Sequence, residues 1–160
     1  LILIFIFFNS TSYANNVAFV NLDNVLQNSN LGKIILDKIE EKKKIEQKKI
    51  DEGENNIKKI EEELKNKQNI ISKEEFNKEL SKLKKKINDF NLYKKKLFNE
   101  FEKSKNDEIV NFFNQINPYI QDYLSENSID ILFNNKNIII GKDSLDITDK
   151  IINIINKSIK

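Results

Sequence analysis

The sequence predicts an α+β fold, mostly α: a long antiparallel helical hairpin of coiled-coil character set on a small β-rich base. Three observations carry this. Residues 31–113 are rich in Lys and Glu, hold no proline, and repeat apolar residues every three or four positions, the spacing of one helix face. Helix-start signals converge midway along that stretch, at Ser72. Short apolar runs of strand character lie only outside it, near Val17–Val20 and beyond Ser128. The stretch takes half of a 160-residue chain, so little is left for a globular core.

Composition narrows the function classes. Charged residues make up 32% of the chain, and with helical periodicity that fraction favours a coiled coil over a globular enzyme. All 27 basic residues are Lys and the net charge is +2. The weight of Lys, Asn and Ile is the kind an AT-rich genome imposes, so it carries no functional weight. Within 31–113 there are 22 Lys and 18 acidic residues, and the runs Lys42–Lys44, Lys84–Lys86 and Lys94–Lys96 alternate with Glu and Asp. This reads as a solvated helix surface, with at most weak attraction to anionic partners. No nucleic-acid partner is expected, since no basic face carries arginines or aromatics placed for bases. There is no Cys and no His. Thiolate chemistry is excluded, the usual acid/base residue is missing, and zinc loses both its preferred ligands. We expect no enzyme, no metal and no cofactor.

The chain opens with eight apolar residues, Leu1 to Phe8, too few to cross a bilayer. A polar stretch follows, then Ser12 and Ala14 as the small residues of a cleavage site. This reads as a secretory signal over 1–14, cleaved after Ala14. The basic n-region is missing and the chain starts on Leu1, as expected of a leader that lacks its first residues.

Val17–Val20, bounded by Asn on both sides, reads as a buried strand. Asp23 is placed to accept from the N–H groups of a short helix carrying Val25 and Leu26. After Asn28-Ser29-Asn30 a long helix runs from Leu31 to about Asn69. Ile50, Ile57, Leu64 and Ile71 recur by sevens, with Ile60 between them, but Gly53 and Lys67 take the other seam positions. That is a broken heptad, with Gly53 either a bend or a tolerated defect. The reversal falls at 70–75. Ser72 and Glu75 make a capping box, and Ile71 with Phe76 a hydrophobic staple. On the return, Phe76, Leu80, Leu83, Ile87, Phe90, Leu97 and Phe101 make a cleaner stripe, with Leu92, Tyr93 and Phe98 off it.

Asn117-Pro118 is expected to interrupt the second helix, with Pro118 starting a short continuation. Ile129–Phe133 and Ile138–Ile140, joined by an Asn-rich turn, predict a β-hairpin ending at Gly141. Asp146 or Thr148 caps a last helix with Ile147, Ile151, Ile154 and Ile155 on one face. The base therefore holds three predicted strands and short helices, over 15–30 and 114–160.

In this order of elements the chain resembles the Skp/OmpH family of periplasmic chaperones. The opening from Val17 to Ser29 with Gly32-Lys33, the charged hairpin, the strand Ile129–Phe133 and the Asp146-Ile147-Thr148 helix start carry the resemblance. It implies a homotrimer: strands of three subunits form a trimerisation body, and three hairpins hang from it as tentacles around a cavity. Unfolded outer-membrane proteins are held there without ATP, in keeping with a chain that has no phosphate-cradling glycine loop. The family mixes Arg with Lys, and here there is only Lys. A lipopolysaccharide site proposed in some relatives uses Arg, so none of its residues carries over, although an anionic membrane or lipopolysaccharide surface stays an expected partner.

The expected function is an ATP-independent periplasmic holdase. Its client-binding candidates are Ile70, Ile71, Phe76, Leu92, Tyr93 and Phe98, where sparse weak contacts sum to avidity. Val17, Phe19, Ile131, Phe133 and Ile139 are assigned to the trimer body. The competing expectation is a periplasmic coiled-coil scaffold or tether without chaperone activity, which calls for a continuous seam.

Overall fold

The computed structural model of the chain describes residues 16–159; the expected leader and its cleavage point lie outside them. The elements run β1 (Val17–Val20), α1 (Leu22–Asn28), α2 (Asn30–Lys67), α3 (Lys73–Glu126), β2 (Ile131–Asn134) and α4 (Thr148–Ser158). Among the described residues these fall into two compact units, residues 16–31 with 116–159, and Gly32–Gln115.

The first unit is α+β. β1 and β2 pair in parallel, with Val17 opposite Ile131 and Phe19 opposite Phe133. Alternation sends Ala18 and Val20 inward, where both are buried, and leaves Val17, Ile131 and Phe133 exposed on the other face. The core adds Val25 of α1, Ile116 and Ile120 of α3, and Ile147, Ile151 and Ile155 of the α4 face. Ile154 of the predicted face is half-buried. The Asp146-Ile147-Thr148 segment ties strand to helix. The Thr148 hydroxyl is buried and accepts from the Asn21 N–H at 2.8 Å. The Asp146 carboxylate accepts from the Thr148 N–H at 2.9 Å, and the Ile147 N–H donates to the Phe19 carbonyl.

Three expectations are corrected here. The first concerns the β-hairpin. β2 forms, but Asn135–Asn137 closes into a 3₁₀ turn and Ile138–Ile140 is not a strand. Ile139, assigned to the body, is 98% exposed and Ile140 89%. β2 pairs with β1, and β1 also bridges to Asp146 through Phe19. Ile138–Ile140 has strand propensity but pairs with no strand among the described residues, and propensity alone does not make a ladder. Gly141, where the run ends, lies under the Phe19 ring: a Cβ there would stand 2.9 Å from Phe19 Cε1.

The second concerns Pro118, which sits inside a continuous α3. Pro118 and Asn114 are exposed, so the carbonyl that loses its N–H partner faces water. Ile116 and Ile120 are buried on the opposite side, and their packing holds the helix across the defect. The third concerns the start of α1. Asn21, not Asp23, is its cap, its side chain accepting from the Asn24 N–H, while exposed Asp23 pairs with Lys136.

Helix α3 ends in a Schellman arrangement. The Ser128 N–H donates to the Ser125 carbonyl and the Ile129 N–H to the Leu124 carbonyl. Ser128 takes the left-handed conformation this needs, with φ 52°.

The second unit is the antiparallel pairing of α2 with α3. Lys38 pairs with Glu108, the Lys42 ammonium donates to the Ser104 hydroxyl at 2.6 Å, and Lys94 pairs with Glu54 at 3.1 Å. The predicted seam is the packed face: Leu64, Leu83 and Leu97 are buried, and Ile50, Ile57, Ile60, Phe76, Leu80, Ile87, Phe90 and Phe101 are half-buried. At the reversal the Ser72 hydroxyl accepts from the Glu75 N–H at 3.2 Å, one of the two reciprocal bonds of a capping box.

Candidate functional site

A two-helix pairing has one buried stripe, so every apolar residue off that stripe faces water unless something else covers it. On α3 these are Leu92, Tyr93, Phe98 and Val110; on α2 they are Ile34 and Ile45; Ile70 lies at the reversal. All are exposed, Ile70 at 80% and Phe98 at 63%. Of the six predicted contact residues, Ile70, Leu92, Tyr93 and Phe98 stand in solvent. Ile71 and Phe76 are half-buried at the reversal. Ile34, Ile45 and Val110 were not predicted. Eleven residues separate Ile34 from Ile45 and eighteen separate Leu92 from Val110, so each pair shares one helix face. A count by elevens and eighteens would have found them.

Gly53 is more than a tolerated defect. A Cβ there would stand 2.2 Å from Cε2 and 2.6 Å from Cζ of Phe90, so the glycine is the notch that receives the ring. Lys94 lies 5.1 Å from that ring's centroid, a cation–π distance, and Tyr93 stacks obliquely at 6.3 Å.

Farther along the seam a groove of about 240 Å³ opens between Ile50 on α2 and Leu97, Phe98 and Phe101 on α3. Counting the heptad back from Ile50 and Gly53 puts Lys43 and Glu46 on the seam. Neither charged side chain fills the hole that an apolar knob would occupy. One Glu46 oxygen, Oε1, meets Lys49 at 3.5 Å. The other, Oε2, is buried and has no hydrogen-bond partner among the described residues.

Electrostatics otherwise amount to a solvated surface. The ion pairs within each helix are at i,i+3 or i,i+4 and largely exposed, so solvent screens them and each contributes little to stability. Glu79 is held below its ordinary carboxylate range, chiefly by the hydrogen bond from Lys82. Among the described residues no three acidic groups converge as a metal site, and no helix is long and apolar enough to cross a membrane. In the first unit, Val17, Phe19, Ile131 and Phe133 share one face of the sheet in register, and Ile139 lies off it.

The family model described as outer membrane protein (OmpH-like) matches residues 16–155. Among solved structures, the chain is similar to a candidate outer membrane chaperone (OmpH-like) from Caulobacter crescentus CB15. The TM-score is 0.81 at 15% identity, over 97% of this chain and 93% of that one, a likeness of fold. No curated protein matches the chain.

Proposed function

The chain belongs to the OmpH-like outer membrane protein family, and from that premise we propose that it is a non-enzymatic, ATP-independent periplasmic holdase. It binds unfolded outer-membrane proteins between the hairpins of a homotrimer and keeps them from aggregating. One observation carries this reading: a hairpin with a charged surface leaves Ile34, Ile45, Ile70, Leu92, Tyr93, Phe98 and Val110 singly in water. Scattered apolar groups give weak contacts to any unfolded chain, and their sum gives avidity without sequence specificity. The charges between them keep the free protein soluble, and the Lys surplus adds salt-sensitive attraction to acidic clients and to anionic membrane or lipopolysaccharide surfaces. The trimer reading draws on the sheet face of Val17, Phe19, Ile131 and Phe133, since a two-stranded sheet with a bare apolar face is marginal by itself. A rigid scaffold would need an unbroken seam, and this one carries Lys43, Glu46, Gly53 and Lys67.

The test dilutes an unfolded porin from urea into buffer with and without the protein. The expected result is a soluble complex with no nucleotide present; porin aggregating at its unassisted rate would exclude the holdase. Combining Leu92→Ser with Tyr93→Ser should weaken capture several-fold. Both residues are exposed, so hairpin stability should stay within about 0.5 kcal/mol, which thermal melting checks.

A further inference from the structure

We infer that the end of the hairpin that carries the reversal, residues 58–86, is a docking end for unfolded acidic segments, where lysines draw a client in before apolar residues hold it. The assignment rests on the holdase reading and says where, and by what force, first contact is made. Charge along the hairpin is unevenly placed. Residues 58–86 hold ten Lys against six acidic residues, while 31–57 hold seven of each and 87–113 five of each. The whole Lys surplus of the hairpin therefore sits at one end. The two helices meet there: Ile60, Leu64 and Lys67 of α2 share a crevice with Glu79 of α3. Pairing differs as well. In the rest of the hairpin, seven of twelve Lys lie within 4.0 Å of a carboxylate oxygen. Among the described residues of this end only Lys82 does, on Glu79 at 2.6 Å. All ten Lys are exposed. Glu79 is held below its ordinary range by the Lys82 hydrogen bond, and the charges of Lys67 and Lys78 add to it, so lysines of both helices converge on one carboxylate. A surplus of one sign concentrated in this way attracts anions from solution.

The placement of the lysines selects the kind of anion. With about 3.6 residues per turn, Lys78, Lys82, Lys84, Lys85 and Lys86 spread over about 200° of α3, from one flank of the seam of Leu80, Leu83 and Ile87 to the other. A flat anionic bilayer, or a folded acidic surface, meets one side of such an end and leaves the other lysines in water. A flexible chain can follow the charge around it. A single-stranded nucleic acid is flexible too, but it gains affinity by stacking bases on exposed aromatic rings. The one aromatic residue in 58–86 is Phe76, which is half-buried. An unfolded acidic polypeptide needs no stacking. It also brings apolar side chains, and Ile70, 80% exposed at the reversal, stands among the lysines to meet them.

The test measures, by stopped-flow anisotropy on the full chain, how fast a fluorescein-labelled unstructured Gly/Ser peptide with spaced Glu associates, against its Gln counterpart. At about 0.02 M salt the Glu peptide should associate about tenfold faster, and at about 0.5 M salt the ratio should fall to near one. Two triple variants remove the same charge from different places. Lys84→Gln with Lys85→Gln and Lys86→Gln, at exposed positions of the docking end, should bring the low-salt ratio to near one. Lys44→Gln with Lys48→Gln and Lys96→Gln, exposed and each paired with its own Glu, should leave most of it. Thermal melting shows that both variants are folded. A wild-type ratio near one, or no measurable peptide association, overturns the assignment. So does an equal loss in the two triples, which would mean that net charge matters and its place does not. Phosphatidylglycerol vesicles bound by the wild type and lost by the first triple, with the peptide ratio near one, would give this end to a lipid surface instead. The porin assay, run on the same samples, separates the two readings. Porin held soluble with a ratio of one removes the docking end and leaves the holdase. Porin aggregating with a ratio of ten removes the holdase and leaves an end that binds acidic chains.

Discussion

Gly53 shows how much can turn on one missing atom. In an exposed helix interior, glycine costs about 1 kcal/mol relative to alanine, so Gly53→Ala ought to be stabilising. Here the added carbon would stand 2.2 Å from Phe90 Cε2, and the ring must leave its notch, carrying its contact with Lys94 away. Displacing a packed ring typically costs about 1–3 kcal/mol, which equals or exceeds the propensity gain. Gly53→Ala should therefore be neutral to destabilising in the natural chain and stabilising by about 1 kcal/mol when Phe90 is already alanine. The double-mutant cycle, read by urea unfolding, should show a coupling of roughly 1–3 kcal/mol. Equal effects in the two backgrounds would mean that the notch is incidental. Glu46 is the converse case: a side chain on the seam that packs no knob there and leaves the groove beside Phe98 open.

At the scale of the element, Pro118 asks whether a helix can be held across a break by what it buries. It lies in α3 between buried Ile116 and Ile120, and a proline in a helix interior costs about 3 kcal/mol. Pro118→Ala restores an N–H donor for the carbonyl one turn back, on the exposed side, without touching the core. The expected gain is up to about 3 kcal/mol, seen as a higher urea midpoint with an unchanged slope. A loss of stability would mean that the proline shapes the helix instead of burdening it. The same comparison marks what the sequence discloses. The seam from Phe76 to Phe101 and the reversal at Ser72 were legible because each is set by neighbours three or four residues apart. Pro118 misled because its local rule is strong, and the burial of Ile116 and Ile120 that overrides it comes from residues far along the chain. Ile138–Ile140 misled in the opposite way: its strand propensity is local, but a ladder needs a partner, and β2 pairs with β1 over a hundred residues away. Within the site, Leu92, Tyr93 and Phe98 could be read as lying off the seam. The groove could not, because it is a gap between two helices and takes both sides to define.

At the scale of the whole molecule, the decisive question is what covers the apolar face of the sheet. Val17, Ile131 and Phe133 are 37%, 42% and 41% exposed, with Phe19 half-buried beside them, on a sheet of only two strands. On the opposite face Ala18 and Val20 are buried, as are Val25, Ile151 and Ile155 of the same unit, and that core keeps the unit folded. The exposed face can therefore be changed without emptying that core. Covering it with copies of itself would gain about 1 kcal/mol per partly exposed side chain, small for one subunit but multiplied by every copy that closes the ring. Phe133→Asp, alone or with Val17→Asp, puts a charge where that contact would form, and a buried unpaired charge is not tolerated. Sedimentation should show the proposed trimer falling to single chains, with helical circular dichroism retained because α2, α3 and α4 do not depend on the altered side chains. The same variants should lose porin capture in step with the loss of assembly, although Leu92, Tyr93 and Phe98 are untouched, because a single hairpin offers too few contacts for avidity. A trimer that survives both substitutions would place the subunit contact elsewhere. Assembly lost with capture unchanged would mean that one hairpin is enough to hold a client.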